Sequence, residues 1–450
     1  MSGRWGMILV FWLCCAGILP AQTPPHGHAH EEDPEGRYVA KVVPVDLETI
    51  LRLAGVDNLQ IRALKQKIEL AEVAAAQQKD WWLPTLYGGL TFHHLSGRAM
   101  NGDGRIFVDV TRDNYWAGVG AQFEWDFSKG TTAARLAERE IRVLKHESET
   151  AKLEVLRAVT AAYYELSAAQ AEYNALLGLL SQTDTIARQL EIQHEAGLRY
   201  KSEVLLAKSN YQHTRLGLIR SREAMERQSA RLIDLLNIQG DPIRLVSVDS
   251  SLVPVELVSP EMLSTDREYA YTRRPEFRGL QAGLSVLELE RDEYSKALLR
   301  PTLRLNVTEG GFGRVFFNSG NQFQFNGALT WRFPLERVIH NRGAELLEVR
   351  KRLQHSQMEA MRNRITREVS ESWARVQSAE QQIDIAREAL ELSGEALRQS
   401  IARQKLGTAQ PFQVFQAQEY YHRAQMDYIQ ATRSYNLAQW ELFLSLGKKE

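Results

Sequence analysis

The chain has 450 residues, with 55 Lys+Arg against 56 Asp+Glu, 44% hydrophobic residues and 2 Cys. A balance this close to neutral excludes the basic surface expected of a nucleic-acid binder. Two adjacent cysteines, Cys14 and Cys15, exclude a disulfide framework and, being confined to the extreme N-terminus, any thiolate site in the rest of the chain.

Both cysteines lie in an apolar run, 7–19, that follows Arg4 and ends at Leu19-Pro20-Ala21, the layout of a cleavable secretory signal over 1–21. The run is too short to span a bilayer as a helix. Trp12-Leu13-Cys14-Cys15 departs from a lipoprotein signal because leucine stands two residues before Cys15 instead of three, which leaves lipidation open. A leader over 22–45 carries His26, His28 and His30 before Glu31, Glu32 and Asp33. Alternating His beside acids can collect a borderline divalent ion, although a flexible polar leader explains the same residues. Beyond residue 21 no run of 18 apolar residues occurs, which excludes a helical inner-membrane protein.

The remainder repeats itself. Aligning the chain with itself sets Val159 on Val369, Tyr163 on Trp373, Val204 on Val414, Ala207 on Ala417 and Tyr211 on Tyr421. Upstream, Glu124-Trp125-Asp126-Phe127 falls on Thr330-Trp331-Arg332-Phe333, and Leu83-Pro84-Thr85-Leu86 on Arg300-Pro301-Thr302-Leu303. Two copies of one unit follow, over 46–240 and 262–447, joined by a linker, 241–261, and ending at 448–450. Each copy reads as helix, two strands, very long helix, tight turn and returning helix. From 131 to 194 there is no proline and one interior glycine, Gly178, so that helix would reach about 96 Å. In copy two Met358, Met361, Ile365, Val369, Trp373, Val376, Ala379, Ile383, Ala386 and Leu390 are spaced by threes and fours, a coiled-coil seam. A soluble rod would show the same seam, since periodicity specifies packing and not purpose.

The strands point elsewhere. Between 115 and 127, Val119, Phe123, Trp125 and Phe127 share one face while Gly118, Gly120, Gln122, Glu124 and Asp126 share the other. In copy two Phe323, Phe325, Leu329, Trp331 and Phe333 oppose Gln324, Asn326 and Arg332, and Leu303 and Leu305 oppose Arg304 and Asn306. Alternation of this kind with terminal aromatics fits membrane β-strands, apolar to lipid and polar to a lumen, joined by polar glycine-rich loops at 96–113 and 310–321. Four strands cannot close a barrel, and an open edge is not tolerated in hydrocarbon. Several protomers must share one barrel; small and polar inward residues favour three protomers and twelve strands over two and eight.

This arrangement resembles the TolC family of outer-membrane efflux channels over nearly the whole mature chain. The likeness rests on Leu47, Leu51, Ala54, Ala71 and Leu83-Pro84, on Arg274-Pro275-Glu276-Phe277, and on the turn Gly407-Thr408-Ala409 with Gln413-Val414-Phe415-Gln416-Ala417-Gln418, Tyr421, Ala424, Tyr428, Ala431, Tyr435, Leu437 and Gly447. Gly197-Leu198-Arg199, then Glu203-Val204-Leu205, Ala207 and Tyr211, is its partner in copy one. The resemblance implies a mainly α protein with a small shared membrane β-barrel, assembled as a homotrimer in outer-membrane lipid above a periplasmic α-barrel. It implies docking on a periplasmic adaptor driven by an inner-membrane pump, through a tip made of Ala196, Gly197, Leu198, Arg199, Leu406, Gly407, Thr408 and Ala409. Family members narrow at two pore-facing aspartates on the returning helix and latch the tip with an arginine after the turn glycine. Gln413, Gln416 and Ala409 occupy those positions here, so a neutral Gln ring is expected at the constriction in place of an acidic one.

Other motifs carry no chemistry. His194-Glu195 lacks the second His of a zinc-protease helix, Gly310-Gly311-Phe312-Gly313 reads as a strand connector, Gly447-Lys448-Lys449 as a frayed end, and no nucleophile elbow occurs. The expectation is a passive duct of a tripartite efflux or type I secretion system for small molecules, metal ions or polypeptides, with no enzyme activity and no cofactor. The alternative is a structural or adhesive coiled-coil envelope protein whose strands form a soluble sheet.

Overall fold

The computed structural model describes residues 41–100, 103–239, 243–248, 252–258, 268, 270–315, 318–406 and 408–448. The signal and its cysteines, His26, His28, His30 and Gly407 lie outside them.

Copy one begins with α1 (Leu47–Asp57) and α2 (Leu59–Lys79). Asn58 separates the two by capping α2: its Oδ1 accepts from Gln60 N at 2.9 Å while its Nδ2 donates to Leu235 O at 3.0 Å. Strands β2 (Thr85–Met100) and β3 (Ile106–Asp126) follow, then α3 (Lys129–Glu195), of 67 residues and about 100 Å, and the returning α4 (Lys201–Leu235). Copy two has α5 (Pro275–Lys296), β5 (Thr302–Val315), β6 (Asn318–Thr330), a short α6 (Leu335–Ile339), α7 (Arg342–Lys405) and α8 (Pro411–Ser445).

Each long helix needs neighbours to bury its stripe. In copy two Ile365, Val369, Val376, Ala379, Ile383 and Ala386 pack with Ala431, Tyr435, Ala438 and Leu442 of α8, so the spacing read from the sequence is the seam in space. Near the far end, Ile186, Leu190, Val204 and Ala207 of the α3–α4 hairpin meet Leu397 and Val414 of the α7–α8 hairpin.

Three expectations are corrected. The end of the leader is not loose: β1 (Lys41–Val45) pairs in parallel with β4 (Ile243–Ser247), inside the linker between the copies. Gln170 of α3 satisfies this small sheet, accepting from Ser247 N at 2.9 Å and donating to Ser247 O at 3.2 Å. The rest of the described linker is held by buried amides of α8, where Asn436 accepts from Val255 N at 2.8 Å and donates to Val253 O at 2.9 Å. Asn436→Leu should remove both of these hydrogen bonds, costing roughly 1–3 kcal/mol; a fall in the thermal midpoint of the detergent-solubilised protein checks it. Second, the segments 96–113 and 310–321 are largely strand, because each hairpin continues to Met100↔Ile106 and to Val315↔Asn318. Third, the C-terminus is not frayed at Gly447, which takes φ 70, while Leu446 is fully buried and Lys448 N bonds Phe443 O at 3.3 Å.

Candidate functional site

Three regions follow from the chemistry of the residues: a sheet at one end of the long helices, the helix turns at the other, and the returning helix next to those turns.

The sheet has the order β2-β3-β5-β6, antiparallel throughout, so the two hairpins join through β3 and β5 and leave β2 and β6 as edges. Register sorts its faces. Trp125, Leu303 and Leu329 align; Phe123 aligns with Leu305; Ala121, Val307 and Phe325 align with Leu86; and Val119 with Phe323. The face continues through Leu90 and Ala117 to Phe92 and Tyr115. From Trp125 to Tyr115 is ten residues, about 33 Å along a strand and about 25 Å in height at the usual tilt, the height of a barrel's lipid band. Val119, Phe323, Phe325 and Leu329 are well exposed in the protomer, whereas Phe123, Trp125, Leu303 and Leu305 are half-buried. Glu309 interrupts the band between Val119 and Phe323 and accepts from Asn321 Nδ2 at 3.4 Å. Phe127, Trp331 and Phe333 are exposed but lie past the last strand residues, Asp126 and Thr330, so they flank the strands and do not belong to them.

The opposite face is polar. Thr85, Gln122, Asn306 and Asn326 form one level and Glu124 and Arg304 the next, joined by an ion pair at 2.8 Å. Gly118 and Gly310 face each other where β3 meets β5 and are there for closeness. A Cβ on Gly118 would fall 2.3 Å from Glu309 O, and one on Gly310 would fall 2.4 Å from Ala117 O.

The turns lie at the far ends of the helices. Ala196 ends α3, Gly197 takes φ 75, and Leu198 N returns to Gln193 O at 2.9 Å. His194 Nδ1 contacts Arg199 O at 2.9 Å, so the imidazole serves the turn. Ala196, Gly197, Leu198, Leu406 and Thr408 are exposed, and Tyr200 and Phe412 widen the apolar surface. Two assignments change. Ala409 is only 5% exposed and supports its turn from below. Arg199 is largely covered, 3.8 Å from Glu203.

On α8, Gln413 and Gln416 are exposed while Val414 is fully buried between them. Gln416 borders a cleft of about 520 Å³ between the two helical hairpins, lined also by His213, Thr214, Phe412, Gln418 and His422. Gln418, 2% exposed, finds no hydrogen-bond partner for either amide atom, and neither does Nδ1 of His422. Burial holds the His422 imidazole below its ordinary value. Sequence reading missed this cleft because it needs α3, α4 and α8 side by side.

Among the described residues no helix is long and apolar enough to cross a membrane, and no group of three or more His, Cys, Asp or Glu could hold a metal ion. The protomer thus carries an apolar-faced sheet with two open edges, set on helices about 100 Å long. The outer membrane efflux protein model matches residues 50–237 and 291–448, and the chain belongs to that family, placing it in the outer membrane. The pyoverdine export outer membrane protein OpmQ of Pseudomonas aeruginosa is 24% identical over 271 residues, 58% of this chain. The match spans 55% of that relative's length. Among solved structures, the outer membrane channel CmeC of Campylobacter jejuni superposes with TM-score 0.71 at 15% identity, over 89% of this chain and 85% of CmeC. The open-state MtrE outer membrane channel of Neisseria gonorrhoeae gives TM-score 0.71 at 17% identity, over 89% of each chain. These likenesses establish the fold.

Proposed function

We propose that the protein is the outer-membrane duct of a tripartite export system, a homotrimer with a shared twelve-stranded barrel and a periplasmic helical tube that docks on an adaptor served by an inner-membrane pump. The observation that carries this reading is the sheet: an apolar face about 25 Å tall with unpaired edges β2 and β6, which only other copies can close within lipid. Apolar residues on the helices that lead into β2 and out of β6, Leu70 and Val73 on α2 and Leu346, Val349 and Leu353 on α7, are exposed in the protomer and suit a head-to-tail ring. The adaptor surface comprises the exposed turn residues Ala196, Gly197, Leu198, Leu406 and Thr408, with Gly407 at its centre by sequence. The gate is a neutral constriction at Gln413 and Gln416, closed by packing and hydrogen bonding. Drugs, metal ions and secreted polypeptides all fit a passive duct, and selection among them belongs to the pump.

Purified protein reconstituted in planar bilayers tests the reading. Discrete single-channel steps and a heat-modifiable trimer are expected, with Gln416→Ala altering conductance. Recovery with the soluble periplasm and absence of channel steps would refute the duct.

A further inference from the structure

The two copies differ where the sheet returns to the long helix. In copy one the passage is direct: two residues separate Phe127 from Gly130, and Asp126 Oδ1 accepts from Ser128 N and Lys129 N, both at 3.0 Å. In copy two nine residues separate Phe333 from Gly343, and they contain α6. The insertion is anchored on one side only. The Arg337 guanidinium lies 3.6 Å from the centre of the Tyr294 ring, fixing one face of α6 against α5. Leu335 and Ile339 stand about 200° from Arg337 on the helical wheel, with Val338 beside them. They are 72%, 68% and 62% exposed.

This apolar trio continues the lipid face of the sheet. Leu329, Trp331 and Phe333 descend from the band to Pro334, the N-cap of α6, so the trio sits where Trp and Phe mark the boundary between hydrocarbon and headgroups. The residues around it are basic. Between 331 and 343 the chain carries Arg332, Arg337, His340 and Arg342 against Glu336 alone, and Arg332, His340 and Arg342 are exposed. Apolar residues flanked by basic ones suit an anionic lipid surface.

We propose that α6 is an interfacial anchor that rests on the periplasmic leaflet of the outer membrane, inserting Leu335, Val338 and Ile339 at headgroup depth and drawing anionic phospholipid to Arg342. It rests on the outer-membrane barrel and adds a lipid-binding site that copy one lacks. In the test, Ile339→Cys is made with Cys14→Ser and Cys15→Ser, labelled with an environment-sensitive fluorophore, and reconstituted in phosphatidylcholine vesicles with or without phosphatidylglycerol. Nitroxide lipids carry the quencher either near the headgroup or near the chain end. Strong quenching by the shallow label, weak quenching by the deep one and a rise with phosphatidylglycerol are expected. Arg342→Gln should lower the preference for phosphatidylglycerol about fivefold, whereas Arg332→Gln, on the lumen side, should leave it unchanged. A fluorophore quenched by neither lipid, in protein that still inserts and conducts, would mean that a neighbouring copy covers α6 and would overturn the anchor. Equal quenching at both depths would overturn it as well. Failure of the unmodified chain to insert would sink the barrel itself and the anchor with it. If Ile339→Cys disturbs assembly, Leu335→Cys reports from the same face.

Discussion

Gly310→Val is expected to abolish the heat-modifiable trimer and channel activity. Gly310 and Gly118 face each other across the one junction that joins the two hairpins into a four-stranded sheet. A Cβ on Gly310 would lie 2.4 Å from Ala117 O and 2.7 Å from Gly118 Cα, and on Gly118 it would also meet the Trp116 ring at 2.8 Å. Those neighbours are largely backbone, so relief requires parting β3 from β5, and parted hairpins expose two further unpaired edges to lipid. Gly89→Ala is the control. Gly89 pairs with Gly118 from the other side, yet a Cβ there meets nothing within 4 Å, so trimer yield should match the unsubstituted protein. A normal trimer from Gly310→Val, seen on unheated gels, would show that the close approach is not required.

Arg274→Met should cost about 3–5 kcal/mol, the usual consequence of stranding buried charge. Arg274, 4% exposed, grips Glu276 with a two-point fork, Nε to Oε2 at 3.2 Å and Nη2 to Oε1 at 2.6 Å, and reaches Glu368 on α7 with Nη1. It thereby ties the start of α5 to the long helix of copy two. Burial alone would raise the Glu368 carboxyl; hydrogen bonds from Arg274 and Arg364, with their charges, outweigh it and hold the group below its ordinary value. A depressed carboxylate contributes stability that is complete above its unfolded value and is lost as pH falls through the folded one. The unsubstituted protein should therefore lose thermal stability below about pH 4.5, and Arg274→Met should flatten that part of the profile. Thermal midpoints across pH 3 to 8 measure both effects (roughly the range over which carboxylates and His titrate). A profile unchanged by the substitution would remove Glu368 from the account.

Much of the architecture was legible because it is written in short periods. Ile365, Val369, Val376 and Ile383 could be assigned to one stripe without knowing the partner, since 3.6-residue periodicity is local. Alternation placed Val119 and Phe325 on one face and Gln122 and Asn326 on the other by the same logic, with period two. The ends of the strands were less legible. The glycine-rich and polar composition of 96–113 and 310–321 argues for loops, yet pairing across each hairpin carries the ladder through them.

The candidate sites divide in the same way. A glycine after a long helix locates the turn at Gly197, but nothing in the sequence separates exposed Leu198 from covered Arg199 or buried Ala409. The cleft around Gln418 and His422 draws on helices far apart in the chain. β1 and β4 are short, and Pro44 weakens the first as a strand signal.

By itself, the sequence determined the long seams, the alternating strands and the order in which they recur along the chain. Tertiary structure alone decided the parallel pairing of leader with linker, the Gly118–Gly310 approach, the charge cluster around Arg274 and the outward face of α6. The physical reason is range: periodicity and capping act within a few residues, whereas contacts between segments far apart in the chain depend on register and burial that no local pattern encodes.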